Sequence, residues 1–145
     1  MTICIHNRQR AVAIHTAAVK KQVLQIMAYL GCPEQDLSVV FGSDRLLQEL
    51  NRTYRHKDRP TNVLAFPQSP TYAGEPVSVM LGDVIVSLPT AAREAYDLHQ
   101  SLEERVVYLL LHGILHLLGY EHEGSAAQRR RMEALEQAVL VHLRA

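Results

Sequence analysis

Three histidines in the stretch HGILHLLGYEH have the types and spacing of a metal site. His112 and His116 stand at i and i+4, a spacing that on a helix stacks two side chains on one face. Gly119 follows the apolar run and suits the left-handed turn that ends a helix, so the chain can double back and carry His122 toward the other two imidazoles. Three neutral imidazoles converging on one point are a good zinc site. With three protein ligands the fourth position stays open to water or substrate, the arrangement of a catalytic zinc.

The element that must present these side chains is a helix from Ser101 to Leu118. Ser101 suits the N-cap and Glu104 sits three residues on, the pattern of a capping box. The helix is apolar almost all round, from Val106 and Val107 to Leu117 and Leu118, which predicts a central, buried position. Two histidines on such a helix are costly unless something satisfies them, and a metal would do so. Ahead of it, Thr2 to His6 reads as a strand and about Ala11 to Leu30 as a helix, stopped by Gly31 and Pro33. Asp36 to Phe41 is a buried strand. Ser43 then caps a helix that runs out near Tyr54, with Leu46, Leu47 and Leu50 inward. Arg55 to Asn62 is a basic, irregular connector. Val63 to Phe66 is a short strand closed by Pro67, Pro67 to Pro76 a loop, and Val77 to Ser87 a strand that Gly82-Asp83 interrupts as a bulge. Leu88-Pro89 opens a helix to around His99. Gly124-Ser125 begins a last helix with Met132, Leu135, Val139 and Leu143 as its core stripe. Strands and helices alternate at first and the last third is all helix. That pattern predicts an α+β domain over residues 1–145, with a mixed sheet of about four strands packed with helices.

Composition bounds the function classes. The chain has 145 residues, 48% of them hydrophobic, enough for one domain with its own core. The formal net charge is zero, so nothing global draws it to nucleic acid and any such contact must come from a local patch. Cys4 and Cys32 form no disulfide framework, which fits a reducing, cytosolic compartment. The first residues lack the basic start and apolar run of a secretory signal. No apolar stretch reaches the roughly 18 to 20 residues of a membrane span. A cytoplasmic protein with no membrane contact is the expectation.

The remaining polar residues divide by pattern. His6, His15, His99 and His142 lack ligand spacing and are expected at the surface, while the sequence leaves the role of His56 open. Arg129-Arg130-Arg131 reads as the solvated face of the last helix. Arg52, Arg55, Lys57 and Arg59 are denser, interrupted by the single acid Asp58, and lie where they could hold phosphate as readily as face solvent. Tyr108, one turn before His112, either lines the site or packs. The histidine spacing matches the metzincin protease pattern HExxHxxGxxH, yet Gly113 stands where that pattern has its general-base glutamate. A bound zinc could still activate water, lowering its pKa to about 7, without a carboxylate from the helix.

Three stretches carry a resemblance. HGILHLLGYEH resembles the HGxLHLxGYDH pattern of the YbeY family of bacterial endoribonucleases, also called rRNA maturation factors. Leu50 to Pro67, LNRTYRHKDRPTNVLAFP, resembles that family's LNxxYRxKDxPTDVLSFP, and LGDVIVS, Leu81 to Ser87, is a third match. Two departures are Glu121, where the family has Asp before the third histidine, and Asn62, where many members have Asp. The resemblance implies a zincin-like α+β fold and one zinc per chain, held by His112, His116 and His122. It implies a single-strand-specific endoribonuclease acting in 16S rRNA 3′-end maturation and ribosome quality control, with the small ribosomal subunit and its assembly factors as partners. It places the family's functional arginine at Arg55. Beside it, the charges of Arg52, Lys57 and Arg59 are expected to steer the RNA backbone, and Glu121 to take a supporting role beside the metal. Two other readings stay open: a metal-dependent hydrolase of a peptide or amide, and a ribosome-assembly factor whose zinc is mainly structural.

Overall fold

Among the described residues four strands form one sheet in the order β1-β2-β4-β3. The computed structural model describes residues 2–32, 34–68, 80–120 and 124–144. Within them the chain runs β1 (Ile3–Asn7), α1 (Thr16–Tyr29), β2 (Asp36–Gly42), α2 (Asp44–Arg55), β3 (Val63–Pro67), β4 (Met80–Ser87), α3 (Leu88–Asp97), α4 (Leu102–Leu117) and α5 (Ala126–Arg144). The strands β1, β2 and β4 are parallel, and β3 pairs antiparallel with β4 in the register Ala65 to Val84. The domain is α+β with a mixed sheet, as the order of elements predicts.

Period-2 alternation sorts the sheet's side chains onto two faces. Val39, Phe41, Val84 and Val86 join the main core, which α1, α4 and α5 complete through Val23, Ile26, Leu110, Ile114, Met132 and Val139. Leu64 and Ile85 point the other way and form a smaller cluster with Leu47 of α2, flanked by Val40, Leu50 and Phe66. The sheet thus lies between α2 on one face and the helices carrying α4 on the other. The strands β3 and β1 are its two end strands among the described residues.

Local chemistry sets the ends of the elements. Ser43 caps α2, accepting a bond from the Leu46 N–H at 3.2 Å. Ser101 and Glu104 form the expected capping box at α4. Gly119 adopts φ 97°, the left-handed turn expected after α4. The bulge in β4 falls one residue before its predicted place: Asp36 pairs with Met80 and Leu37 with Gly82, which leaves Leu81 extra. The helix α1 begins at Thr16, not near Ala11. The Gln9 side chain explains the difference. Its amide bonds both the N–H and the C=O of Val12, at 2.9 and 2.8 Å, so those backbone groups are taken before a helix can use them. Ile14 still packs on the core from outside the helix. The predicted loop from Pro67 to Pro76 and the first residues of the strand drawn from Val77 lie largely outside the described residues.

Candidate active site

The helix α4 crosses the sheet beside β4 and β3 and turns one face toward the sheet's β3 end. Gly113 sits at the crossing. A Cβ there would meet Val84 Cγ1 at 2.6 Å, so glycine is what lets the helix lie this close to the strand. The residue after the first histidine therefore faces the sheet, and a glutamate in its place would collide with β4. Positions 105, 108, 112 and 116, spaced by three or four, face a cavity of about 710 Å³ that runs along β3. Tyr54 and Arg55, at the end of α2, also line it.

Within that cavity His112 Nε2 and His116 Nε2 stand 3.3 Å apart. Two nitrogens each about 2.0–2.1 Å from one tetrahedral zinc lie about 3.3–3.4 Å apart, so the pair has the edge length of a zinc site. The opposite nitrogen of His112 is fixed as well: Nδ1 donates to Glu136 Oε1 at 3.3 Å. That bond selects the tautomer whose Nε2 lone pair points at His116, the usual support of a metal-bound imidazole. Glu136 is 4% exposed on α5, and its carboxylate lies near Tyr108 as well as His112. Burial raises the Tyr108 pKa above its ordinary value, and the nearby Glu136 carboxylate raises it further. No third His, Cys, Asp or Glu among the described residues joins the histidine pair. His122 and Glu121 lie outside the described residues.

A second set of bonds ties the cavity wall to the connector. Arg105 Nε donates to Glu94 Oε1 at 2.9 Å and its guanidinium lies 4.7 Å from the Tyr108 ring centroid. Asn62 Nδ2 donates to Glu94 Oε2 at 3.1 Å. Arg55 lines the cavity and forms no ion pair among the described residues. Arg52, Lys57 and Arg59 form no part of the cavity wall. Arg52 lies 3.9 Å from Asp58, and both are exposed. Arg59 is exposed and Lys57 half-buried. His56, whose role the sequence left open, closes α2 in the left-handed region (φ 57°). The Lys57 N–H then bonds the Asn51 carbonyl, and the buried Asn51 side chain donates to the Arg59 carbonyl, so the connector is held at two points.

The profile of the endoribonuclease YbeY family matches residues 4–144. The chain belongs to the YbeY endoribonuclease family. It is 46% identical to endoribonuclease YbeY of Geobacter metallireducens, over 99% of this chain and 96% of that one. It is 42% identical to endoribonuclease YbeY of Aquifex aeolicus, over 86% of this chain and 81% of that one. A solution structure of a Thermotoga maritima protein shares the fold, with a TM-score of 0.60 and 24% identity over 98% of this chain and 91% of its own.

In this YbeY-family chain the structure adds residues that sequence reading missed. Glu136 was hidden because helical spacing marks it as one more residue beside the Met132–Val139 stripe, and its partner is 24 positions away. Arg105 could have been found: it lies seven residues before His112, on the same helical face. Asn51 and Glu94 carry no local signal. His6, His15, His99 and His142 are exposed, as are Arg129, Arg130 and Arg131.

Proposed function

We propose that this chain is a zinc-dependent, single-strand-specific endoribonuclease acting in late 16S rRNA 3′-end maturation and ribosome quality control. One zinc would be held by His112, His116 and His122, with Arg55 as the catalytic cation. The observation that carries the reading is the pair of Nε2 atoms 3.3 Å apart, in the cavity that Arg55 also lines. Membership of an endoribonuclease family supplies the substrate class. The rRNA site, the small ribosomal subunit and its assembly factors as partners, and a cytoplasmic setting follow from the family resemblance. No helix among the described residues is long and apolar enough to cross a membrane.

Bound there, zinc would supply Lewis acidity toward a phosphoryl oxygen and lower the pKa of a water. The chain's own residues do the rest. Arg55 presents a planar guanidinium that can hold two phosphate oxygens and offset the charge that grows during cleavage. Glu136 holds His112 in the tautomer the metal needs. Arg52, Lys57 and Arg59, outside the cavity wall, would attract the flanking backbone by their charge. Glu121 would support the third ligand. The peptidase alternative is disfavoured by Gly113, whose place against Val84 leaves no room for a general base.

The test compares wild type with His112→Ala on single-stranded RNA, after chelation and after adding zinc back, with folding checked by circular dichroism. Zinc-restored cleavage by the wild type, lost in a folded variant, is expected. Cleavage that survives both chelation and the substitution would place the activity elsewhere.

A further inference from the structure

The lining of the cavity includes two aromatic rings from α2 and β3, Tyr54 and Phe66. Tyr54 is 63% exposed although it is a large ring, and it lines the cavity beside Arg55. It is braced from behind: its ring centroid lies 5.2 Å from that of Phe66, edge to face at 61°. Phe66 in turn packs on Leu47, Leu64 and Ile85, the cluster that fastens α2 to the sheet. The ring is therefore held by the fold and still open to solvent. Tyr29 and Tyr96 are also exposed, but neither lines the cavity, and Tyr29 rests on His142 instead.

We propose that Tyr54, braced by Phe66, is a stacking platform for one unpaired nucleobase of an RNA whose phosphate is held at Arg55. The proposal rests on the endoribonuclease reading of the cavity. Chain neighbours at the end of α2 put an exposed π-face and a cation without an ion-pair partner among the described residues side by side, which matches the alternation of base and phosphate along one strand. A base can reach the ring when its own face is uncovered. In a duplex both faces are covered by neighbouring pairs, so the platform selects single strands without reading sequence. Single-strand preference then arises at Tyr54, apart from the metal.

The experiment uses the full-length protein and a fluorescently labelled single-stranded RNA 12-mer. Binding is read by anisotropy after chelation, and cleavage with zinc added back. Tyr54→Ala is expected to weaken binding about tenfold, the usual worth of one stacked base, and to raise KM far more than it lowers kcat. Tyr54→Phe should keep affinity within about twofold. The chain has no tryptophan, so Tyr54→Trp supplies a single reporter whose fluorescence should be quenched by RNA. An abasic nucleotide moved along the 12-mer should cost the wild type about tenfold at one position and cost Tyr54→Ala nothing there. Wild-type affinity in Tyr54→Ala, or equal sensitivity of both proteins at every abasic position, overturns the platform and leaves the ring for another partner such as a protein. A wild type that neither binds nor cuts RNA overturns the endoribonuclease reading first, and the two failures are told apart by the wild-type lane alone.

Discussion

Glu136 is a carboxylate with almost no contact with water, and the His112 ring donates to it. Taking away the acceptor leaves the His112 ring free to turn and its tautomer unset. Glu136→Leu, which has no acceptor, should therefore weaken zinc binding about 10- to 100-fold, read by competition with a chromogenic chelator rather than by activity. Zinc affinity equal to the wild type would show that the bond positions nothing. Asn62 makes a similar argument for a departure from the family pattern. Its amide donates to Glu94, which Arg105 also approaches, so an aspartate there would set two carboxylates against each other. Asn62→Asp should cost on the order of 1 kcal/mol in urea denaturation, and adding Glu94→Gln should restore most of it. A loss that the second substitution leaves untouched would point to another cause.

At the scale of the element, α4 serves both packing and presentation. Its capping box fixes where the helix starts, and Gly113 fixes how near it lies to β4. Gly113→Ala raises helix propensity by close to 1 kcal/mol. It also drives a methyl group against Val84, and overpacking of this kind costs about 1–3 kcal/mol. The clash should win: the urea midpoint is expected to fall, and Val84→Ala in the same chain should recover part of it. A midpoint that rises in Gly113→Ala would mean the helix moves away freely. The element α2 ends in service of the cavity. His56 takes the left-handed turn and Asn51 ties the connector, so Tyr54 and Arg55 leave the helix at a fixed place.

Across the whole molecule, Asp44 joins three elements. Its carboxylate, in the first turn of α2, accepts bonds from Ser87 at the end of β4 and from Thr90 and Arg93 of α3. Burial by itself would raise its pKa, but these bonds and the Arg93 charge outweigh it and bring the pKa below the ordinary value. A carboxyl lowered in the folded state adds stability that is complete above its unfolded pKa of about 3.9 and is lost as pH falls toward the folded value. Asp44→Asn should flatten the acid limb of stability against pH below about pH 4, while the difference from wild type above it stays constant. Parallel curves over the whole range would assign acid sensitivity to other groups.

Sequence alone determined what is local. The capping box at Ser101, the N-cap at Ser43, the turn at Gly119 and the i, i+4 placement of His112 and His116 each depend on residues within one or two turns of one another. The order of elements gave the α+β class, since alternation of strand and helix limits how a sheet can be covered. Tertiary structure decided what joins distant positions. No spacing could announce that Glu136 holds His112, that Glu94 collects Asn62 and Arg105, or that Tyr54 and Phe66 meet across α2 and β3. Those contacts exist because packing brings together elements far apart in the chain: α5 on α4, α3 on α4, and α2 on β3. The start of α1 shows the same division in reverse: apolar spacing extended the helix back to Ala11, and one glutamine side chain, bonded to Val12, ended it at Thr16.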